Sequence, residues 1–293
     1  MNKKFEGVGI AIVTPFNEDL TIDHQSLIKI VNYNIDNGMD YIVISGTTGE
    51  SVTISREEKK QIIQTIKQAN NNRVPLVLGI GGNNTNQVLE EIKSTDFSGI
   101  DAILSVSPYY SKPTQEGVYQ HYKAVSNVSP VPIIMYNVPG RTASNMLPQT
   151  TLRLAQDFDN IIAVKEAGNN MSQYLWLLKD KPSDFMVISG DDDLALPVTL
   201  AGGSGVISVI GQAFPKDFTK MIHLGLERKG DQAYKLHFNL MEITSLIFSE
   251  NNPSGIKAVL QTMSLCKDKV RLPLVEATDG LKSKIQSFIA QYN

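Results

Sequence analysis

Lys165 closes the apolar, β-branched run Ile161-Ile162-Ala163-Val164, and Tyr136 closes a second run, Pro132-Ile133-Ile134-Met135. Each reads as a buried strand with a polar group at its C-terminal tip, an ammonium on one and a phenol at the same height on its neighbour. If Ala163 and Lys165 share a face, Ile162 and Val164 take the other, and Lys165 turns inward among small groups. A lysine is seldom buried without a reason. Loss of water lowers its pKa from about 10.4 toward neutrality, supplying the free amine that attacks a ketone. The pair points to Schiff-base chemistry, the alternative being a structural salt bridge between Lys165 and an interior carboxylate such as Glu166 or Asp191.

Other polar groups sit where further strands end. Gly46-Thr47-Thr48-Gly49-Glu50 follows the run Tyr41 to Ser45. Its glycines let the backbone approach an anion to which the hydroxyls and N–H groups donate, although a plain turn has the same composition. Ser107-Pro108-Tyr109-Tyr110 places two aromatics in a loop, for function or for packing at an interface. Tyr136-Asn137-Val138-Pro139-Gly140-Arg141-Thr142 sets Arg141 where a guanidinium could hold a carboxylate bidentately or simply be solvated. Asp191-Asp192-Asp193 invites a divalent-metal reading, against which stands the N-cap and first turn of a following helix.

The elements that must position these groups alternate regularly. Apolar runs at Val8 to Val13, Tyr41 to Ser45, Pro75 to Ile80, Ala102 to Val106, Pro132 to Tyr136, Ile161 to Lys165, Phe185 to Ser189 and Gly205 to Ile210 predict eight strands. Each interval has room for one helix, as in Ser55 to Asn70 with Ile62, Ile63 and Ile66 on one face, or Pro148 to Phe158 with Leu152, Leu154 and Ala155. Eight such units predict a (β/α)8 TIM barrel over residues 1–225, a doubly wound open sheet being the competing α/β arrangement. Beyond Gly225 the strand signals fade, and Asp231 to Ile247, Ser254 to Leu265 and Thr278 to Tyr292 read as helices. A helical C-terminal appendage is expected over 226–293.

Composition narrows the function. A chain of 293 residues with 42% hydrophobic and 19% charged residues can bury a large core. A net charge of −3 without a Lys/Arg cluster gives no footprint for nucleic acid or an anionic membrane. No run approaches the roughly 18 apolar residues of a membrane span, and the first residues lack a signal-like apolar stretch. Small-molecule chemistry in the cytoplasm is the expectation. Cys266 is the sole cysteine and reads as a buried small hydrophobe, which excludes an internal disulfide and thiolate cages. His24, His121, His223 and His237 show no metal-ligand spacing, and no metal is expected.

Taken in order, Gly46-Thr47-Thr48-Gly49-Glu50, Pro108-Tyr109-Tyr110, Tyr136-Asn137-Val138-Pro139-Gly140-Arg141-Thr142, Val164-Lys165-Glu166 and Ser189-Gly190-Asp191-Asp192 resemble the dihydrodipicolinate synthases (4-hydroxy-tetrahydrodipicolinate synthases) of the pyruvate-dependent class I aldolase superfamily. The resemblance covers nearly the whole chain. Sugar-acid aldolases and N-acetylneuraminate lyases share the lysine, the tyrosine and the glycine-rich loop. Gly-Thr-Thr-Gly-Glu, where the lyases tend to have Gly-Ser-Thr-Gly-Glu, and Arg141 after Tyr-Asn-Val-Pro favour the synthases. One motif departs: the family's Asn-Pro-(Ile/Leu)-Pro-Val-Lys appears as Asn252-Pro253-Ser254-Gly255-Ile256-Lys257.

The resemblance implies that Lys165 condenses with pyruvate and that the resulting enamine attacks L-aspartate 4-semialdehyde, with no cofactor. It implies that Thr47 and Thr48 hold the pyruvate carboxylate and that Tyr136 relays protons with Thr48 and with Tyr110 of an adjacent subunit. Arg141 would bind the semialdehyde carboxylate, and Gly190 and Ile207 would offer backbone groups. A homotetramer built as a dimer of dimers is implied. An effector cleft for L-lysine would fall on Ser51, Val52, Arg56, Lys59, Asn83, Gln87 and Tyr109. Because Gln87 replaces a glutamate and Arg56 and Lys59 replace histidines, inhibition by lysine is expected to be weak or absent.

Overall fold

Runs such as Gly7–Ala11 and Tyr41–Ile44 are buried at every position, as parallel strands covered on both faces must be. The structure, a computed structural model, describes residues 4–292. Among these, eight strands close a parallel barrel in sequence order: β1 (Gly7–Ala11), β2 (Tyr41–Ile44), β3 (Leu76–Gly79), β4 (Ala102–Val106), β5 (Ile133–Asn137), β6 (Ile161–Glu166), β7 (Met186–Ser189) and β8 (Gly205–Ser208). Closure comes from β8 against β1, with Gly7 opposite Gly205 and Ile10 opposite Ser208. That pairing excludes the open doubly wound sheet and makes the fold a (β/α)8 barrel.

The first four crossovers carry α1 (His24–Asp36), α2 (Arg56–Asn70), α3 (Thr85–Ser94) and α4 (Gln115–Val128). Local sequence explains α2 well. Ser55 and Glu58 form a reciprocal capping box, Glu57 and Glu58 sit at the positive end of the dipole, and Ile62 and Ile66 make the buried stripe. The expectation of one helix per crossover fails between β5 and β6, which are joined by two: α5 (Pro139–Thr142) and α6 (Pro148–Asp157). Pro139 and Pro148 each stand in a first turn, where a fixed φ favours helix and no N–H is needed. The circuit ends with α7 (Met171–Asp180), α8 (Ala195–Ala201) and α9 (Pro215–Leu226), and α9 packs on β1.

Two apolar layers result. One fills the barrel, with Tyr41, Val43, Leu104, Ile134, Ala163 and Ile188 among its members, and the other lies between barrel and helices. Val164 belongs to the outer layer and Ala163 to the inner, as alternation predicts. Ile162 does not follow the prediction: it packs against the inner layer, because the β5–β6 register shifts there and Ile161 and Ala163 face the successive residues Ile133 and Ile134.

Beyond Leu226 come α10 (Gly230–Ser249), α11 (Ser254–Thr262) and α12 (Asp279–Gln291). The boundary expected at 225/226 falls within the last two residues of α9, and Leu240, Ile243, Ile256, Val259 and Ile285 of the appendage belong to the same apolar cluster as the barrel helices. The departure at Ser254-Gly255 has a packing reason. A Cβ on Gly255 would lie 2.2 Å from the Ile247 carbonyl oxygen, so glycine lets α11 approach the backbone of α10, while Ser254 Oγ donates to the Val275 carbonyl at 2.6 Å.

Candidate active site

Register brings the lysine and the tyrosine together. Tyr136 on β5 is paired with Lys165 on β6, and Lys165 Nζ lies 4.5 Å from the centre of the phenol ring. Both side chains are buried, at 5% and 8% exposure. Room for the lysine comes from Gly190 after β7, where a Cβ would stand 3.0 Å from Lys165 Cε and 2.5 Å from Ala167 Cβ. The salt-bridge alternative is not what the structure holds. Among the described residues Lys165 enters no ion pair, Glu166 being held by Asn137 Nδ2 and Gln173 Nε2, both at 2.9 Å, and Asp191 by the Asn169 N–H at 2.9 Å.

The loop after β2 supplies the hydroxyls. Gly49 N–H donates to the Gly46 carbonyl at 3.1 Å and Glu50 N–H to that of Thr47 at 3.0 Å, which folds the loop back over the barrel. Glu50 adopts a left-handed conformation at φ 54 and is fully buried in an ion pair with Lys257 at 2.5 Å. Thr48 Oγ1 accepts from Asn252 Nδ2 at 3.0 Å. Thr47, Thr48, Tyr136, Arg141, Lys165 and Gly190 all line one cavity of about 750 Å³ at the C-terminal mouth of the barrel.

Two expected residues do not line it. Ile207 is wholly buried in the inner apolar layer, and Tyr110 is 89% exposed with φ 70. That φ lies in the left-handed region, which residues other than glycine seldom adopt. Gly190 N–H already donates to the Glu166 carbonyl, leaving only its own carbonyl for a ligand. Of the effector positions, Ser51, Val52, Arg56, Lys59 and Tyr109 line an adjoining cleft of about 430 Å³, whereas Asn83 and Gln87 do not. Cavity and cleft share Thr47 and Tyr136. Lys59 is engaged by the Gly79 carbonyl at 2.8 Å and Glu91 at 2.6 Å.

The acidic run does not cap α8, whose N-cap is Leu194 with no side-chain hydrogen bond. Asp192 instead accepts from the N–H groups of Val209 and Ile210, at 3.1 and 3.0 Å, and ties the ends of β7 and β8. Among the described residues no group of three or more His, Cys, Asp or Glu side chains could hold a metal ion. Burial pushes the carboxyl of Asp191 up to about 6 and that of Glu166 up to about 7, donors from Asn137 and Gln173 only partly offsetting the second. An acid with a raised folded pKa contributes stability that is complete below its unfolded value, near 4.5, and lost as pH rises through about 7. At about 1.4 kcal/mol per pK unit the loss is at most roughly 3 kcal/mol. Thermal melting between pH 5 and 8 should therefore fall less for Glu166→Gln than for the unmodified chain, and parallel curves would remove Glu166 from this role.

Sequence reasoning missed the appendage's share of the site. Met241, Thr244 and Phe248 of α10, with Asn251 and Asn252, form one wall of the cavity. Asn252 and Lys257 stand in a motif noticed only for its departure, and nothing in their spacing says what they touch.

A (β/α)8 barrel whose mouth holds a buried, unpaired lysine against a tyrosine is the framework of a class I aldolase-type lyase. The Dihydrodipicolinate synthetase family model matches residues 4–292, and the chain belongs to that family. It is 56% identical over 98% of each chain to the 4-hydroxy-tetrahydrodipicolinate synthase of Flavobacterium psychrophilum, and 49% identical to that of Parabacteroides distasonis over 98% of this chain and 96% of the relative. The crystal structure of the dihydrodipicolinate synthase of Thermotoga maritima superposes with a TM-score of 0.96 at 36% identity, covering 99% of each chain.

Proposed function

We propose that this chain condenses pyruvate with L-aspartate 4-semialdehyde to give 4-hydroxy-tetrahydrodipicolinate, the committed step toward diaminopimelate and lysine. Lys165 Nζ adds to the ketone of pyruvate and water leaves, forming an iminium. Loss of a methyl proton gives the enamine, whose carbon attacks the aldehyde. The semialdehyde's own amine then displaces Lys165 and closes the ring. The iminium is the electron sink, so no cofactor is required. Thr47 and Thr48 hold the pyruvate carboxylate, Arg141 the semialdehyde carboxylate, and Tyr136 moves protons at the reacting carbons and oxygens. The observation that carries this reading is the pairing of Tyr136 with Lys165, whose Nζ lies 4.5 Å from the ring centre and, among the described residues, enters no ion pair. Turnover of pyruvate with aspartate semialdehyde, against N-acetylneuraminate and 2-keto-3-deoxygluconate in parallel, tests it: cleavage of either sugar acid in preference would make the chain a sugar-acid aldolase.

The proposal includes assembly as a dimer of dimers, the barrel (1–225) and appendage (226–293) being the working units of each chain. Tyr110 at 89% exposure and Val52 at 85% then meet a second copy, and Tyr110 completes the partner's relay. Mixed dimers of Lys165→Ala and Tyr110→Phe chains should regain one intact site per dimer, and a verified heterodimer that stays silent would place Tyr110 in its own subunit. Among the described residues no helix is long and apolar enough to cross a membrane, and the proposed location is the cytoplasm.

The cleft beside Tyr109 is the proposed effector site, and its chemistry is poor for lysine. Gln87 does not line the cleft, and the one carboxylate among its described lining residues, Glu91, is already paired with Lys59, so an ammonium meets no free charged acceptor, a loss of about 1.5–3 kcal/mol, or roughly ten- to a hundred-fold in affinity. Titration with L-lysine at subsaturating pyruvate should give weak inhibition or none, and half-inhibition below millimolar would contradict this.

A further inference from the structure

Two residues of the appendage reach the loop that carries Thr47 and Thr48. Asn252 Nδ2 donates to Thr48 Oγ1 at 3.0 Å, and Lys257 Nζ donates to Glu50 Oε1 at 2.5 Å. The second tie is well satisfied: Lys257 Nζ also donates to the Lys269 carbonyl at 2.7 Å, and Glu50 Oε2 accepts from Arg271 N–H at 3.0 Å. Removed from water on both sides, that pair clamps the loop backbone without competing with a ligand. The first tie acts on chemistry. A threonine hydroxyl has one hydrogen, and its oxygen here already accepts on the appendage side. Among the described residues no acceptor takes that hydrogen, while Thr48 lines the cavity that holds Lys165.

We propose that Asn252 is a positioning residue for substrate binding: by donating to Thr48 Oγ1 it leaves the Thr48 hydroxyl hydrogen for the carboxylate of a 2-oxo acid bound at Lys165. The appendage is then part of the pyruvate site, and the close approach permitted by Gly255 sets the reach of Asn252 into the barrel mouth. Among the described residues no group pairs with the buried Asn252 Oδ1, so the opposite amide orientation would turn Thr48 into a donor toward Asn252 and remove it from the ligand. This inference rests on the Schiff-base reading above.

The test is borohydride trapping at a series of pyruvate concentrations, read as the concentration for half-maximal labelling of Lys165, together with steady-state turnover. Only folded, competent protein is labelled, so partial unfolding lowers the plateau and not the midpoint. Asn252→Ala should raise the midpoint several-fold, with turnover at saturating pyruvate within about threefold of the unmodified chain. Thr48→Val should raise it roughly ten- to a hundred-fold, the range for a hydrogen bond to a charged group. In Thr48→Val chains, Asn252→Ala should add nothing, since the hydroxyl it orients is gone. Should Asn252→Ala fail to fold, Asn252→Ser, too short to reach Thr48, takes its place in the cycle. Independent, additive shifts overturn the proposal, as does a fall in maximal turnover with an unchanged midpoint. Absence of labelling in the unmodified chain would instead overturn the Schiff-base reading.

Discussion

Borohydride added with pyruvate is expected to fix one pyruvyl group per chain, at Lys165, and Lys165→Ala should abolish both labelling and turnover. Among the described residues the amine is the only lysine lining the cavity, and it is buried to 5% exposure with no ion pair to a carboxylate. Its neighbours are arranged for a substrate rather than for a counter-ion: Gly190 clears space along its side chain, and Glu166 and Asp191 are held by other donors. An inward amine beside a phenol is how a nucleophilic lysine is presented to a carbonyl. Peptide mapping of the trapped protein decides the matter, and label at another lysine would remove Lys165 from its role.

Tyr136→Phe should separate binding from proton transfer. Removing the hydroxyl leaves the ring beside Lys165 Nζ, so trapping with pyruvate should persist. Turnover should fall on the order of 10²- to 10⁴-fold, the usual scale for a positioned proton donor. Thr47 and Thr48 line the same cavity as Tyr136, and Thr47 lines the adjoining cleft as well. Full turnover in Tyr136→Phe, or loss of trapping along with turnover, would contradict the relay.

Much of this was legible because it is periodic. Strand tips repeat along a barrel, so an apolar run ending in Lys165 and another ending in Tyr136 had to present those groups at one mouth, and two-residue alternation set Ala163 and Lys165 inward. Ile162 broke the pattern because a register shift is decided between two strands and not within one. The acidic run 191–193 misled because a carboxylate before a helix reads as a cap in one dimension, while in space Asp192 meets the N–H groups of Val209 and Ile210.

Local pattern and motifs contiguous in the chain were enough for the number of strands, the inward lysine, the tyrosine at its height and the family. Closure of β8 on β1, the hold of Asn137 and Gln173 on Glu166 and the appendage wall of the site all come from contacts made in the folded chain. Only there do Asn252 and Lys257, 204 and 207 residues away from Thr48 and Glu50, reach the anion loop. Contacts at such separations follow from how α11 packs on α10, where one glycine sets the approach, and packing of that kind leaves no period in the chain to read.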